Sequence, residues 1–325
     1  MMSTTSEKLI SVIIPVHNVG LFIARTLASV VGQTYRAMEI IVVDDGSTDH
    51  TAAIVESFAK NDGRIRLIRT ENRGVSSARN LALSLANGAL VAPIDGDDIW
   101  HVEKLSRQFA VMQAAGPEVG VVYCWSAGID VDDRVILPTW NNSKATGNVL
   151  RDIVISGIAG NGSTPLIRRM CIDSVGGYDE RLTLCEDWKL YTALAGVCEF
   201  AVVPEYLTGY RLRSESASVN VFDMEKAIEQ VTDWIKRTWP SLPDDVFRDR
   251  EYTVDAYLAF LAIRQREFLH ALGLLRMAAW ARPRKLFAFS YLQLYFLLIA
   301  HAIGFRRYRW LFWKRPNLFV NSWPT

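Results

Sequence analysis

The sequence predicts an α/β fold, with helices flanking a doubly wound, mostly parallel β-sheet. Over residues 9–95, short apolar runs alternate with segments of helical spacing. The runs are rich in Val and Ile and nearly unbroken by polar residues, which is typical of strands covered on both faces. Strands that alternate with helices of this length indicate right-handed crossovers between parallel strands.

The first part of the chain contains four predicted strands with a helix between consecutive strands. The strands are LISVIIP, MEIIVVD, RIRLIRT and GALVAPI, and the helices cover residues 19–32, 49–60 and 75–86. Polar residues follow the first, second and fourth strands: His17, Asn18, Asp44, Asp45, Asp95, Asp97 and Asp98. Ligands of such sheets bind beyond the carboxyl ends of the strands. We therefore expect these side chains to converge at one edge of the sheet.

The pattern changes after residue 100. A predicted helix near 101–115 precedes VGVVYCWSAGIDVDDRVIL, which indicates antiparallel strands with a turn at Asp132 and Asp133. A helix near 148–157, a Gly-rich bend, a helix in the second half of GGYDERLTLCEDWKLYTALAG and the strand-like CEFAVVPEYLTGYRLR follow. We expect this half to pack on the same sheet, so that residues 1–220 form one domain with parts at about 9–115 and 116–220.

Residues 221–325 form a predicted helical region, with helices near 222–238, 245–266 and 268–281. The run LFAFSYLQLYFLLIAHAIGF at 286–305 has no charge, and about twenty helical residues match the hydrocarbon thickness of a bilayer. Its polar residues and its basic flanks favour an amphipathic, in-plane or re-entrant membrane helix at about 284–305 over a true span. The alternative is a buried helix that covers another domain.

Composition excludes some classes of function. The net charge of +1 gives no global attraction to nucleic acid. The four cysteines are widely spaced, without a CxxC pair, which favours reduced thiols of a cytoplasmic protein over a disulfide framework. The N-terminal residues have no basic stretch followed by a long apolar one, so we expect no cleaved secretory signal.

The acidic run IDGDDIW predicts a metal site. Three carboxylates in four positions repel one another unless a cation is present, and Mg²⁺ or Mn²⁺ binds few carboxylates together with water and phosphate oxygens. Asp97 is the candidate ligand, with Asp95 and Asp98 beside it. The alternative is that these residues cap the following helix, but capping accounts for one Asp and not for three.

Five motifs carry a resemblance: SVIIPVHN, EIIVVDDGSTD, NRGVSSARN, IDGDDIW and EDW. In this order and approximate spacing, residues 9 to about 213 resemble the bacterial-type family 2 glycosyltransferases, which are inverting enzymes with the GT-A fold. Each motif is weak alone, and the five in order are specific. The resemblance implies that residues 9–115 bind the donor nucleotide and that 116–220 form the acceptor part.

The resemblance also implies roles for the residues of the donor site. Base, ribose and phosphate contacts fall on Pro15, His17, Asn18, Asp44, Asp45, Arg79 and Asp95. Asp97, with Asp98 beside it, would hold Mn²⁺ or Mg²⁺ on the diphosphate, where the metal neutralises the charge of the leaving group. The alternative for Arg79 is a helix-surface role.

Asp187 matches the family's catalytic base, with Glu186 beside it; the alternative is that both are first-turn helix charges. The chain departs from many relatives after YR, where they place a His and this sequence has Arg213. Arg211 and Arg213 are therefore provisional phosphate contacts, and Asp179 is a possible acceptor contact. The chain lacks the Q/RxxRW signature of processive polymerases, which favours the transfer of a single sugar.

The predicted function is metal-dependent, inverting hexosyl transfer from a nucleotide sugar, by default a UDP-sugar, to a hydroxyl of a glycan or lipid-linked acceptor in cell-surface polysaccharide synthesis. We expect the protein in the cytoplasm, on the inner face of the plasma membrane. One alternative is a membrane-associated nucleotide-sugar-binding protein without catalysis. Another is a metal-dependent phosphotransferase, which would need its DxD pair after the first strand, where this chain has PVHN.

Overall fold

The computed structural model describes residues 8–138, 142–213 and 220–283. Its first part has the predicted order of strands and helices: β1 (Ile10–Val16), α1 (Ile23–Val31), β2 (Met38–Asp45), α2 (Thr51–Asn61), β3 (Ile65–Thr70), α3 (Val75–Leu85) and β4 (Leu90–Pro93). Adjacent residues of β1, such as Ile13 and Ile14, are both fully buried. Since neighbouring side chains of a strand point to opposite faces, helices must cover both faces of this strand, as its unbroken apolar run predicts.

The second part adds further strands to the same sheet and contains further helices. They are β5 (Ile99–Trp100), α4 (Lys104–Ala114), β6 (Val119–Ile129), β7 (Val135–Pro138), α5 (Leu150–Ser156), β8 (Leu166–Arg168), α6 (Arg169–Ser174), α7 (Glu186–Ala195) and β9 (Glu199–Arg211). The sequence analysis did not predict β5, β8 and α6, because two to six residues are too few to show a period.

The strand order of the sheet is β3-β2-β1-β4-β8-β6-β9-β5, and β7 pairs with β6. Strands β1 to β4 pair in parallel, and β8 joins β4 in antiparallel orientation. Val16 pairs with Asp44, so the ends of β1 and β2 lie side by side. The predicted α/β fold class is confirmed, and the polar residues that follow β1, β2 and β4 lie at one edge.

Packing divides the described residues into two units, one of residues 8–150 and 158–213 and another of residues 151–157 and 220–283. The second unit contains three of the predicted helices, α8 (Val221–Thr238), α9 (Asp244–Gln265) and α10 (Phe268–Ala281). Among the described residues, none of the helices combines the length and the apolar character that a membrane span requires. The predicted membrane helix at about 284–305 lies outside the described residues.

Lys104, the first residue of α4, is a fully buried lysine. Its Nζ lies 4.1 Å from the centroid of the Trp100 ring and donates a 2.8 Å hydrogen bond to Gln108 Oε1. Burial disfavours the charged amine and lowers the pKa of Lys104 to about 8. Below that pH the folded protein must hold a buried charge, which weakens its stability.

We therefore expect the stability of the wild type, relative to a Lys104→Met variant, to increase with pH. The unfolded chain binds more protons than the folded one between pH 8 and the ordinary lysine pKa of about 10.4, so the relative free energy of unfolding should rise by about 3 kcal/mol across that range. Urea titrations at several pH values measure it, with a Met substitution at the exposed Lys60 as the control. A pH-independent difference between wild type and Lys104→Met would contradict this prediction.

Candidate active site

Asp98, in the loop after β4, is held inside the protein. It is 1% exposed, its Oδ1 accepts a 2.9 Å hydrogen bond from the backbone N–H of Arg211, and its Oδ2 accepts a 2.6 Å bond from Ser163 Oγ. Burial, reinforced by the charges of Asp97 and Asp95, raises its pKa well above the ordinary value. Asp98 therefore ties the acidic loop to β9 and to Ser163 in the Gly-rich bend. The sequence analysis instead placed Asp98 beside a metal.

Asp97 and Asp95 are the carboxylates of this loop that solvent reaches. The side chain of Asp97 is 15% exposed, and its Oδ2 lies 2.7 Å from Nη2 of Arg213. Burial raises the pKa of Asp97, while the Arg213 charge opposes that shift. The side chain of Asp95 is 27% exposed, and its backbone N–H donates to Ser163 Oγ at 3.0 Å.

Arg79, on α3, connects the acidic loop to the start of α7. Its guanidinium donates to Asp95 Oδ1 at 2.5 Å and to Glu186 Oε1 at 2.6 Å, and the side chain is 3% exposed. The face of the Tyr178 ring lies 5.0 Å from the guanidinium carbon. Arg79 is therefore a buried cation between two carboxylates, and its predicted alternative as a helix-surface residue is wrong.

Asp187 follows Glu186 in the first turn of α7, and the two have different environments. Asp187 Oδ1 accepts a 2.6 Å hydrogen bond from the backbone N–H of Trp188. Burial and the neighbouring charge of Glu186 raise the pKa of Asp187 to about 7, although Arg79 lowers it. A carboxyl group with this pKa can exchange a proton near neutral pH.

Asp44 and Asp45, at the end of β2, are both buried but differ in their contacts. Asp45 accepts hydrogen bonds of 2.8 Å from the backbone N–H groups of Arg73 and Gly74, so it fixes the loop before α3. Asp44 Oδ1 accepts from the Ser47 N–H at 2.9 Å. Asp44 Oδ2 has no hydrogen-bond partner within residues 8–138, 142–213 and 220–283, although Arg69 Nε is 3.8 Å away. An acceptor left in this state can take a hydrogen bond from a ligand.

Of the three predicted contact residues near the end of β1, Pro15 is buried in the strand, and His17 and Asn18 after it are exposed. His17 Nδ1 lies 2.8 Å from the carbonyl oxygen of Asp45. Asn18 has a φ of 51°, in the left-handed region that Asn tolerates, and its Oδ1 accepts from the Thr48 N–H at 2.8 Å. These contacts join the loops that follow β1 and β2.

Arg211 and Asp179, two further predicted contact residues, both have partners within the protein. Arg211 is 1% exposed, and its guanidinium donates to the carbonyl oxygens of Asp97 and Asp130 at 2.6 and 2.5 Å. Asp179 pairs with Arg181 at 2.8 Å and with Lys189, and the hydrogen bond from Arg181 is the main cause of its lowered pKa. Both residues therefore have protein partners where the sequence analysis predicted ligand contacts.

Ser163 is a site residue that the sequence analysis missed. Its hydroxyl donates to Asp98 and accepts from the N–H of Asp95, so one side chain fixes both ends of the acidic run. The nearby Gly162 is similarly constrained, since a β-carbon there would lie 2.9 Å from Arg79 Nη2. The Gly-rich GNGST segment was a signal for a close approach of this kind, but nothing in it identified the acidic loop as the partner.

The described residues contain no group of three or more His, Cys, Asp or Glu side chains arranged to hold a metal. Mg²⁺ commonly binds through one or two carboxylates together with substrate phosphates. Asp97 and Asp95 fit such a site, because both are carboxylates whose side chains are partly exposed, at 15% and 27%. Asp98 does not fit, because it is only 1% exposed and both of its oxygens accept hydrogen bonds inside the protein.

Comparison with known proteins identifies this domain. Residues 11–172 match the family model described as Glycosyl transferase family 2, which includes β1 to β4 and the acidic loop. Through this domain the chain belongs to glycosyltransferase family 2. The unit that contains this match, residues 8–150 and 158–213, is called the family 2 domain below. The chain has bacterial relatives. It is 40% identical over 114 residues to glycosyltransferase GlyG of Streptococcus pneumoniae, a match that covers 35% of this chain and 38% of that protein.

A second relative is the UDP-Glc:alpha-D-GlcNAc-diphosphoundecaprenol beta-1,3-glucosyltransferase WfgD of Escherichia coli. It is 41% identical over 107 residues, which are 33% of this chain and 42% of WfgD. The matched segment thus spans about two fifths of the length of either relative. Among solved structures, the mannosyltransferase PcManGT of Pyrobaculum calidifontis, in complex with GDP-Man and Mn²⁺, superposes with a TM-score of 0.62. That superposition has 21% identity and covers 93% of this chain and 88% of PcManGT, and the GT-A fold is confirmed.

Proposed function

We propose that the family 2 domain catalyses inverting, metal-dependent transfer of a single hexose from a nucleotide sugar to a hydroxyl group. The double ion pair of Arg79 is the observation that carries this proposal. It joins the acidic loop, which contains Asp97, to the first turn of α7, which contains Asp187. One buried cation thus holds the proposed donor-binding loop to the helix turn that contains the candidate base.

The donor side of the proposal uses the groups that have an open acceptor or some exposure. Asp44 Oδ2 would accept a hydrogen bond from the nucleobase, and the exposed His17 and Asn18 would contact the base or ribose. Asp97, with Asp95 beside it, would hold Mn²⁺ or Mg²⁺. A bound ion would neutralise the charge on the leaving diphosphate. Arg213 would contribute a second positive charge to the phosphates.

The acceptor side of the proposal depends on Asp187. Its ionised carboxylate would take the proton from the acceptor hydroxyl as that oxygen attacks the anomeric carbon. Attack from the side opposite the leaving diphosphate inverts the configuration at that carbon. Glu186 would remain paired with Arg79 and keep the first turn of α7 in place.

The proposed donor and acceptor classes follow from the relatives and from the sequence. WfgD uses a UDP-sugar and a lipid-linked acceptor by its name, which supports a UDP-sugar and a lipid-linked or glycan acceptor for this chain. The uncharged run at 286–305 with its basic flanks supports work at the inner face of the plasma membrane. Synthesis of a cell-surface polysaccharide is the proposed context.

Calorimetric titration of the full chain with UDP, GDP and dTDP, each with and without Mn²⁺, tests the donor site. We expect one nucleotide to bind at least tenfold more tightly with Mn²⁺, and an Asp97→Ala variant to lose that enhancement, because the metal then lacks its carboxylate. An Ala substitution at Asp173, whose carboxylate forms an exposed ion pair on α6, is the matched control. A folded protein that binds none of the three nucleotides would contradict the proposal.

A further inference from the structure

We propose that Asp133, in the turn between β6 and β7, is a positioning residue for the acidic donor loop. This inference rests on the proposed function, because it concerns the loop that would hold the metal and diphosphate. Asp133 lies outside all the motifs that carry the family resemblance, and it is 36 residues beyond Asp97 in the chain. Its effect on the loop is transmitted through Arg211.

The turn itself is well defined. The N–H of Asp133 donates to the Asp130 carbonyl oxygen at 3.2 Å, and Asp130 Oδ1 accepts from the N–H groups of Asp132 and Arg134 at 2.9 Å. Asp133 has a φ of 66°, a conformation that Asp and Asn adopt more readily than other side-chain-bearing residues. These contacts fix the direction of the Asp133 carboxylate.

The hairpin-turn cluster, defined as Asp130, Asp133 and Arg211, holds the acidic loop at two points. Arg211 Nη2 contacts Asp133 Oδ1 at 2.5 Å, while its Nη1 donates to the Asp130 carbonyl oxygen. The remaining Nε of Arg211 donates to the Asp97 carbonyl oxygen at 2.6 Å, and its backbone N–H donates to Asp98 Oδ1 at 2.9 Å. Each guanidinium nitrogen of Arg211 thus has a named acceptor, and one of these acceptors is the backbone of the proposed metal ligand.

Charge makes Asp133 the anchor of this cluster. Arg211 is buried, and a buried cation requires an anionic partner close by. Asp133 is the carboxylate whose side chain contacts the guanidinium directly, and the face of the Phe22 ring lies 4.8 Å from the guanidinium carbon. Asp133 also pairs with Arg25 of α1 through its Oδ2 at 3.0 Å. Without the Asp133 charge, Arg211 loses its direct anionic partner, so the Asp97 backbone to which it donates should become more mobile.

Two variants of the full chain separate this role from a general effect on stability. Asp133→Asn keeps the size and the left-handed backbone conformation but removes the charge. Asp132→Asn makes the same change one residue earlier, at an exposed carboxylate that pairs with Arg134. Amide hydrogen exchange of residues 95–100 without nucleotide reports on the loop, and calorimetry with UDP, GDP and dTDP reports on the Mn²⁺ enhancement of nucleotide binding.

We expect exchange at residues 95–100 to be at least fivefold faster in Asp133→Asn, and the Mn²⁺ enhancement to fall roughly tenfold, the typical effect of weakening a charged hydrogen bond. Asp132→Asn should match the wild type in both. Unchanged exchange in Asp133→Asn would overturn the inference, and so would a lower melting temperature with an unchanged Mn²⁺ enhancement. Faster exchange in a protein whose wild type binds no nucleotide would support the positioning role and overturn only the proposed donor site.

Discussion

An Asp187→Asn variant should turn over about a thousandfold more slowly than the wild type while its nucleotide affinity stays within about twofold. The amide has the size of the carboxylate, and its oxygen can still accept the hydrogen bond from the Trp188 N–H. It cannot accept a proton from an acceptor hydroxyl, and general-base groups contribute roughly 10²–10⁴ to rates. Release of nucleoside diphosphate from the nucleotide sugar, in the presence of acceptor, measures the rate.

The pH dependence provides an independent readout of the same group. Because the pKa of Asp187 is raised to about 7, the ionised base is depleted below that pH and kcat/KM of the wild type should rise as pH increases through about 7. The Asp187→Asn variant should lose this rise, whereas Asp173→Asn, at an exposed carboxylate of α6, should keep it. If Asp187→Asn retains the wild-type rate and Glu186→Gln loses it, the base is Glu186 and the proposed assignment is wrong.

Long apolar runs made the first half of the fold predictable from the sequence. β1, β2 and β4 are almost fully buried, whereas the edge strand β3 is partly exposed. The four strands alternate with helices of nine to eleven residues, so periodicity located them. β5, of two residues, forms only by pairing with β9 more than 100 residues later. Its existence depends on tertiary structure, and a local pattern contains no signal for it.

The roles within the acidic loop were harder to predict than its location. Asp97 and Asp98 are adjacent residues of the same type, yet one keeps a partly exposed carboxylate and the other is sealed between Ser163 and the Arg211 backbone. The difference comes from residues 65 and 113 positions away in the chain. The same limit applies to Arg211. The sequence analysis predicted it as a provisional phosphate contact, but its side chain lies buried against the turn that precedes β7.

Replacing Arg79 with Met should destabilise the family 2 domain by about 3–5 kcal/mol, the usual effect of removing one partner of a buried ion pair. Arg79 is 3% exposed and neutralises both Asp95 and Glu186, so its loss leaves two carboxylates without their cation beside the partly buried Asp187. The Tyr178 ring also loses the guanidinium packed against its face. Urea unfolding of the full chain, followed by tryptophan fluorescence, measures the change in free energy.

The expected loss of stability in Arg79→Met comes from repulsion among the remaining carboxylates as well as from the loss of packing. An Arg79→Met/Glu186→Gln double variant should therefore recover stability relative to Arg79→Met, because the amide removes one of the unpaired charges. An Arg134→Met change, at an ion pair whose Arg side chain is 76% exposed, is the control and should cost less than about 1 kcal/mol. If the double variant is less stable than Arg79→Met, the carboxylates do not repel one another through this site, and Arg79 acts by packing against Tyr178 instead of by joining the donor loop to α7.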